Sequence, residues 1–304
     1  MKKKDLLGLK DLSKAEIQMI LDVAAEMKKI LVSGNKKAPQ LIGKSMVSMF
    51  FENSTRTRTS FELACRYLGG HCENLDLNAS SLNKGETLLD TVKNIDRMGT
   101  DLMVIRHRSG GVPKFVAEHV NASVINAGDG MNEHPTQALL DMFTMRDYFD
   151  GLSGLKVAIV GDLKHSRVVR SNVYGLSKFG SEIFVAGPQT LIPEEMEKFP
   201  SVTVCASVEE AVKNADVVMG LRLQKERMQA GLIPSEGEYA KFYGINEENL
   251  KLAKPNAILL HPGPVNRGVE LTNEVCDAAQ SKIYEQVTNG VAVRMAVLYL
   301  ATRG

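Results

Sequence analysis

Hydroxyl and guanidinium side chains alternate in residues 54–58, which read Ser-Thr-Arg-Thr-Arg. The apolar run at 45–51 predicts a buried strand before them, and the apolar spacing at 55–68 predicts a helix. These side chains therefore stand at a strand-to-helix junction, where unpaired backbone N–H groups and the positive end of the helix dipole meet. Such a junction is suited to bind a phosphate. The ordinary alternative is a Ser or Thr that caps the helix beside two solvated arginines.

Two other predicted strands also lead into side chains that can bind or polarise a substrate. Arg106 closes the strand predicted at 102–106, and His134-Pro-Thr-Gln137 opens the helix after the strand predicted at 123–126. Ligands of open parallel sheets bind beyond the carboxyl ends of the strands, so these residues are site candidates. A His at a helix N-terminus is disfavoured as a cation, but as a neutral imidazole it can donate to a carbonyl oxygen. The alternative is a His-Pro turn with a structural role only.

The second half of the chain repeats this arrangement. Arg167 follows the strand predicted at 155–160, and Leu-Arg-Leu-Gln-Lys-Glu-Arg (221–227) follows the strand predicted at 216–220. The strand predicted at 257–260 leads into His-Pro-Gly-Pro. Arginines at so many strand ends predict substrates that carry several negative charges.

The polar loop at 78–86 carries Lys84. Its small residues are typical of a flexible surface loop. The functional alternative is a mobile loop that brings Lys84 to an anion and excludes water when it closes.

The elements that must position these residues alternate between strand and helix twice along the chain. This alternation predicts an α/β fold with two doubly wound parallel-sheet domains and helices on both faces. A break near 151–154 places the boundary, which gives domains at 1–150 and 151–283. The last helix, 284–304, is predicted to be amphipathic and to pack back on the first domain. Ser13, followed three residues later by a Glu, predicts a capped first helix.

Composition excludes several classes of function. The chain has 304 residues, with 37 basic and 36 acidic side chains and a net charge of +1. This balance argues against nucleic acid and membrane surfaces as partners. No long apolar stretch suggests a signal peptide or a membrane span. The four cysteines lack C-x-x-C spacing, so they are interpreted as reduced thiols of a cytoplasmic protein.

The motifs of common cofactors are also missing from the sequence. The turn after the strand at 155–160 lacks the G-x-G-x-x-G fingerprint, so a dinucleotide is not expected, and no P-loop motif occurs. The histidines lack the spacing of metal ligands. We therefore expect neither a metal nor a cofactor.

Four motifs together resemble the aspartate carbamoyltransferase catalytic chains, and they occur in that family's order over essentially the whole chain. They are residues 54–58, 134–137, 221–227 and 261–264. The related ornithine enzymes share the first two motifs but usually carry His-Cys-Leu-Pro where this chain has His-Pro-Gly-Pro.

The resemblance implies a carbamoyl phosphate domain followed by an aspartate domain. It implies that carbamoyl phosphate is bound by Ser54, Thr55, Arg56, Thr57, Ser81, Arg106, His134, Gln137, Gly263 and Pro264, and aspartate by Lys84, Arg167, Arg222 and Gln224. Catalysis is assigned to Arg56, Thr57, Lys84, Arg106 and His134. Lys84 and Ser81, with Ser80 as the alternative, are implied to enter the site from a neighbouring subunit of a homotrimer.

The implied reaction transfers the carbamoyl group of carbamoyl phosphate to the amine of L-aspartate, for pyrimidine biosynthesis, without a metal. Whether regulatory chains bind is left open. One alternative is a carbamoyltransferase for another amine such as ornithine, although a cationic substrate would need carboxylates where Arg167 and Arg222 stand. The other is a non-catalytic phosphometabolite-binding protein, although all the polarising groups are present.

Overall fold

The computed structural model describes residues 5–75, 85–227 and 231–303. They form two compact units, residues 1–140 with 288–304 and residues 141–287. The helices are α1 (Lys14–Val32), α2 (Thr55–Tyr67), α3 (Leu88–Arg97), α4 (Val112–Ala117), α5 (Pro135–Tyr148), α6 (Arg167–Ser177), α7 (Val208–Val212), α8 (Glu236–Tyr243), α9 (Glu247–Leu250), α10 (Asn273–Cys276) and α11 (Ile283–Ala301).

The first unit contains a parallel sheet of four strands in the order β2-β1-β3-β4. Its strands are β1 (Ser45–Phe50), β2 (His71–Asn74), β3 (Leu102–His107) and β4 (Ser123–Asp129). The strand β1 pairs with β3 so that Phe50 lies opposite Arg106. Connections leave β1 and β3 towards opposite edges of the sheet, so the crevice at a topological switch point opens between the ends of these two strands.

The second unit contains a parallel sheet of five strands in the order β7-β6-β5-β8-β9. Its strands are β5 (Lys156–Val160), β6 (Glu182–Ala186), β7 (Val202–Val204), β8 (Val217–Gly220) and β9 (Ile258–Leu260). Here the switch point lies between the ends of β5 and β8. The predicted fold class, two parallel-sheet domains with helices around them, is therefore confirmed.

Local sequence explains why these elements form. The central strands are short apolar runs, as expected where both faces of a parallel sheet are covered. The helix α1 begins with the predicted capping box, in which the Ser13 hydroxyl accepts from Glu16 N and the Glu16 carboxylate accepts from Ser13 N. The four short helices α7 to α10 are not indicated by the sequence pattern.

The last helix differs from its prediction. Its residues from Asn289 to Leu298 are all buried, so α11 is enclosed on every side there rather than amphipathic. From Thr288 onwards it groups with the first unit, where Ser123 Oγ donates to Ala301 O at 2.8 Å. The guanidinium of Arg294 stacks on the Phe61 ring of α2. Within the described ranges, no helix combines the length and apolar character that a membrane span requires.

Candidate active site

The N-terminus of α2 presents the side chains of residues 54–57 at the end of β1. Ser54 is the N-cap residue, but its hydroxyl makes no capping hydrogen bond with the described residues. By contrast, the serines that begin α1, α6, α7 and α8 all cap their helices through the side chain. Thr55 and Arg56 are exposed, whereas Thr57 is buried. The hydroxyl at this N-terminus is therefore not used for capping, and the helix start has the donors that an anion requires.

Arg106 lies at the switch point of the first sheet. Its Nη1 donates to Ala127 O of β4 at 3.3 Å, and its Nε lies 3.3 Å from Glu52 Oε2 after β1. Three strand ends thus hold one partly buried guanidinium. A group held in this way is oriented before a substrate arrives, which limits the reorganisation that binding requires.

The neighbouring His107 is a weaker base than an ordinary histidine. Burial lowers its pKa, helped by the nearby Arg108 and opposed by the carboxylates of Glu52 and Asp129, and the Ser109 N–H donates to His107 Nδ1. Its ring stacks against Phe51. His107 is therefore neutral at pH 7 and adds no cation to this strand end.

A network of hydrogen bonds shapes the loop that delivers His134. The Asp129 carboxylate accepts from Gly111 N at 2.7 Å, from Asn126 Nδ2 at 2.8 Å and from Glu133 N at 3.2 Å. His134 is buried directly before Pro135, the first residue of α5, a position at which proline is favoured because its missing N–H has no intrahelical partner. Gln137 is buried one turn into the helix. His134 and Gln137 thus stand at the carboxyl end of the first sheet, as Arg106 does.

The second unit brings Arg167 and Gln224 to the switch point of its own sheet. Arg167 is the first residue of α6 and is 4% exposed. Gln224 Nε2 donates to His165 O at 3.1 Å, and His165 Nδ1 lies 3.0 Å from Asp162 Oδ1. The segment after β8 is therefore tied to the turn after β5. Arg222 is partly buried in this segment.

Gly161 permits this close approach. Its φ is +132°, and a Cβ there would stand 3.0 Å from Leu221 O and 2.9 Å from the Tyr239 hydroxyl. A larger residue would push the ends of β5 and β8 apart.

The His-Pro-Gly-Pro turn follows β9 and has a buried support. Gly263 N donates to His261 Nδ1 at 2.8 Å, and the Gly263–Pro264 peptide bond is cis. His261 N donates to Gln286 Oε1 at 2.9 Å, and Gln286 Nε2 donates to Asp141 Oδ1 at 2.8 Å. The turn that carries Gly263 and Pro264 is thus fixed from behind by α11 and α5.

Ser80, Ser81 and Lys84 lie outside the described residues. The remaining predicted residues divide between the two units. The first unit holds Ser54, Thr55, Arg56, Thr57, Arg106, His134 and Gln137, and the second holds Arg167, Arg222, Gln224, Gly263 and Pro264.

Sequence reasoning missed the residues that support these groups. Asp129, Asp162 and Gln286 are buried, and each joins two separate segments of its unit. The available signal was a carboxylate at or just beyond the end of a strand, as Asp129 and Asp162 are, because an acidic residue so close to a core needs donors.

Two family models match successive parts of the chain. Residues 4–147 match the family model described as aspartate/ornithine carbamoyltransferase, carbamoyl-P binding domain, and residues 153–301 match the Asp/Orn binding domain. The chain is 62% identical to the aspartate carbamoyltransferase catalytic subunit of Acetivibrio thermocellus, over 100% of this chain and 97% of that protein. It is 59% identical to that of Ruminiclostridium cellulolyticum, over 100% and 96% respectively.

Solved structures are similar over nearly the whole chain. Aspartate transcarbamoylase from Trypanosoma cruzi, in complex with carbamoyl aspartate and phosphate, superposes with a TM-score of 0.89 at 31% identity, covering 97% of this chain and 95% of that one. Ornithine carbamoyltransferase from Thermus thermophilus superposes with a TM-score of 0.86 at 29% identity, covering 98% of each chain. The fold alone therefore does not separate the two substrates, whereas the sequence identities favour aspartate.

Proposed function

The chain belongs to the aspartate/ornithine carbamoyltransferase family, and from this we propose how its residues transfer a carbamoyl group from carbamoyl phosphate to L-aspartate. The chain is a carbamoyl-group transferase that acts on aspartate. The observation that carries this conclusion is its 62% identity, over its whole length, to a curated aspartate carbamoyltransferase catalytic subunit. The products are N-carbamoyl-L-aspartate, a precursor in pyrimidine biosynthesis, and phosphate.

Carbamoyl phosphate is bound by the first domain, residues 1–150, in this proposal. Ser54, Thr55, Arg56 and Thr57 bind the phosphate through hydroxyls, a guanidinium and the start of α2. The exposure of Arg56 and the uncapped start of the helix support this role. A dianionic phosphate at a helix N-terminus is stabilised by unpaired N–H groups and by the helix dipole.

The carbamoyl group is polarised by residues at neighbouring strand ends. Thr57, Arg106 and His134 donate to the carbamoyl oxygen, and Gln137 accepts from the carbamoyl nitrogen. Gly263 and Pro264 supply backbone carbonyls for the same nitrogen. The support comes from Arg106, which is held at the switch point by Glu52 and Ala127.

Aspartate is bound by the second domain, residues 151–283. Arg167 and Arg222 bind its two carboxylates, and Gln224 orients them. Arginine is suited to this role because its planar guanidinium binds a carboxylate through two parallel hydrogen bonds. The tie between Gln224 and the turn that carries His165 supports a preformed pocket.

The chemistry needs positioning and charge stabilisation rather than a covalent enzyme intermediate. The neutral amine of aspartate attacks the carbonyl carbon, negative charge develops on the carbonyl oxygen, and phosphate leaves from the tetrahedral intermediate, so that in the net reaction one amine proton ends on the phosphate. Arg106 and a neutral His134 stabilise the oxyanion, while Arg56 stabilises the leaving phosphate. Neutral His134 is the suitable donor because a helix N-terminus disfavours its cation.

The assembly is a cytoplasmic homotrimer in which Lys84 and Ser81 complete the site of a neighbouring subunit. The positions of these residues in the family motif support this part of the proposal. Sedimentation of the purified chain tests it, since a monomer at assay concentrations would contradict a shared site.

The decisive assay measures carbamoylated product and phosphate from carbamoyl phosphate, with aspartate and with ornithine in parallel. We expect product with aspartate and none above background with ornithine, because Arg167 and Arg222 repel a cationic side chain. Turnover with ornithine alone would reverse the assignment, and the absence of product and of phosphate release with either amine would favour a non-catalytic binding protein.

A further inference from the structure

Two of the four cysteines lie against each other at the turn between α2 and β2. Cys65 Sγ is 3.5 Å from His71 O, the oxygen of the peptide group that joins His71 to Cys72. A Cβ on Gly70 would stand 2.7 Å from Cys65 Sγ, so this sulfur occupies space that only a glycine leaves open. Each thiol also shifts the pKa of the other, as expected for near neighbours.

The two thiols are chemically unequal. Cys72 is half-buried, and the neighbouring Cys65 lowers its pKa, with help from Arg66 and against the effects of burial and Glu62. Cys72, together with burial, raises the pKa of Cys65. An accessible thiol of lowered pKa beside a buried partner is the arrangement found in redox-active pairs.

A buried hydroxyl in β1 adds to this difference. Ser48 is fully buried in β1, and its Oγ makes no hydrogen bond to any residue that the structure describes. Ser48 pairs with Asn74 in the register of β1 and β2, so its side chain is on the same face of the sheet as that of Cys72, whose pKa it lowers. A buried donor without an acceptor is costly, and a thiolate at Cys72 would satisfy it.

We propose that Cys65 and Cys72 form a reversible disulfide when the chain meets a low-molecular-weight disulfide as the oxidant. The Cys72 thiolate attacks one sulfur of the oxidant, which forms a mixed disulfide and releases one small thiolate. Cys65 gives its proton to that thiolate and attacks the Cys72 sulfur, which releases the second. Two protein thiols are oxidised and one small disulfide is reduced to two thiols.

The bond would join two elements next to the candidate site. The helix α2 starts with residues 54–58, and β2 directly precedes residues 76–84. The disulfide is thus a modification site outside the residues that we assign to substrates.

The test is to treat the purified native chain with oxidised glutathione and then block the free thiols with an alkylating reagent. We expect intact mass spectrometry to show the loss of two hydrogen atoms, and peptide mapping to link Cys65 to Cys72 within one chain. Cys205 and Cys276 serve as internal controls, since burial raises the pKa of both and they should remain alkylated thiols. Reductant should restore four thiols.

Two variants separate the attacking role of Cys72 from the resolving role of Cys65. In Cys65→Ala, glutathione should remain on Cys72 as a stable mixed disulfide, because no thiol resolves it. In Cys72→Ser, no glutathione should be retained on Cys65. The proposal is overturned if wild-type protein keeps glutathione on Cys72, if the link joins two chains, or if Cys205 and Cys276 are oxidised at the same rate. Because the wild-type map is decisive alone, poor folding of a variant leaves the test intact.

Discussion

Arg56 and Arg58 lie two residues apart on α2 and have different surroundings. The guanidinium of Arg58 is 3.8 Å from Glu62, one turn further along the helix. Arg56 stands in the first turn, where the backbone N–H groups have no intrahelical partner. This difference suggests that Arg58 supports the helix while Arg56 contacts the phosphate.

We predict that Arg56→Ala lowers turnover about 10²–10³-fold, equivalent to about 2.7–4 kcal/mol, because one preorganised donor to a developing charge is lost. Carbamoyl aspartate formation at saturating substrates measures this effect. Arg58→Ala is the matched control, and it should change turnover less than about threefold, since exposed helix pairs contribute about 0.3–0.5 kcal/mol. Equal losses of turnover in both variants would show that the substitutions act by damaging the helix and not by removing a contact of Arg56 with the phosphate.

At the scale of elements, the helix starts fall into two groups. The hydroxyl of Ser13 caps α1 through a hydrogen bond, whereas the hydroxyl of Ser54 makes no such bond within the described part of the chain. The two serines therefore offer a test of whether the start of α2 serves folding or binding.

We expect Ser13→Ala to destabilise the fold by about 1 kcal/mol and to leave phosphate binding unchanged. Ser54→Ala should leave the unfolding temperature of the free protein unchanged but weaken phosphate binding about 2- to 10-fold, as the loss of one hydrogen bond predicts. Thermal unfolding with and without phosphate measures both quantities, because a ligand that binds only the folded state raises the transition temperature. A destabilised free Ser54→Ala protein would instead make Ser54 a structural cap.

The Asp101 carboxylate joins two neighbouring strands at the amino ends of β1 and β3. It accepts from Ser45 N at 2.9 Å and pairs with Lys44 Nζ at 2.8 Å. Burial raises the pKa of Asp101, but these donors outweigh it and the net pKa is lowered. The second sheet has a similar arrangement, in which Asp216 N donates to Lys156 O and Lys156 N donates to Asp216 Oδ2.

We predict that Asp101→Asn lowers the free energy of unfolding by about 1–3 kcal/mol near neutral pH. Since the folded pKa lies below the unfolded value of about 3.9, the contribution of the carboxylate is present above about pH 4 and is lost as the pH falls through the folded pKa. Urea titrations of wild type and variant should therefore converge on acidification. Lys44→Met, which keeps the bond to Ser45 N, should cost less than about 1 kcal/mol. A difference that does not depend on pH would exclude the ionised carboxylate as the cause.

The elements were largely predictable because the signals were local. Apolar runs and their flanking residues located the strands, and the rule for parallel sheets then located Arg106 and Arg167 at strand ends. The burial of α11 was not predictable in this way, because it depends on α2 and β4, which are distant in sequence. The tie from Gln224 to the turn at His165 was also missed, since it requires the meeting of two loops.

At the scale of the whole molecule, both sheets follow the rule that ligands bind at the topological switch point of a parallel sheet. The crevice between β1 and β3 coincides with the phosphate-binding candidates, and that between β5 and β8 coincides with Arg167 and Gln224. Each sheet thus presents arginines at its topological switch point, where the ligands of open parallel sheets bind. The proposed contribution of Lys84 to a neighbouring subunit rests on the family motif and not on these two sheets.

A site shared between subunits predicts that two inactive variants can complement each other in one trimer. Arg56→Ala and Lys84→Ala should each be nearly inactive, but mixed trimers formed by reversible dissociation of both variants should regain activity. In a head-to-tail ring each site takes residue 56 from one chain and residue 84 from the next, so random mixing restores roughly a quarter of the sites. The measurement is carbamoyl aspartate formation before and after mixing, with each variant mixed with itself as the control. Activity that stays at the level of these controls, although mixed trimers are detected by mass, would place Lys84 in the site of its own chain.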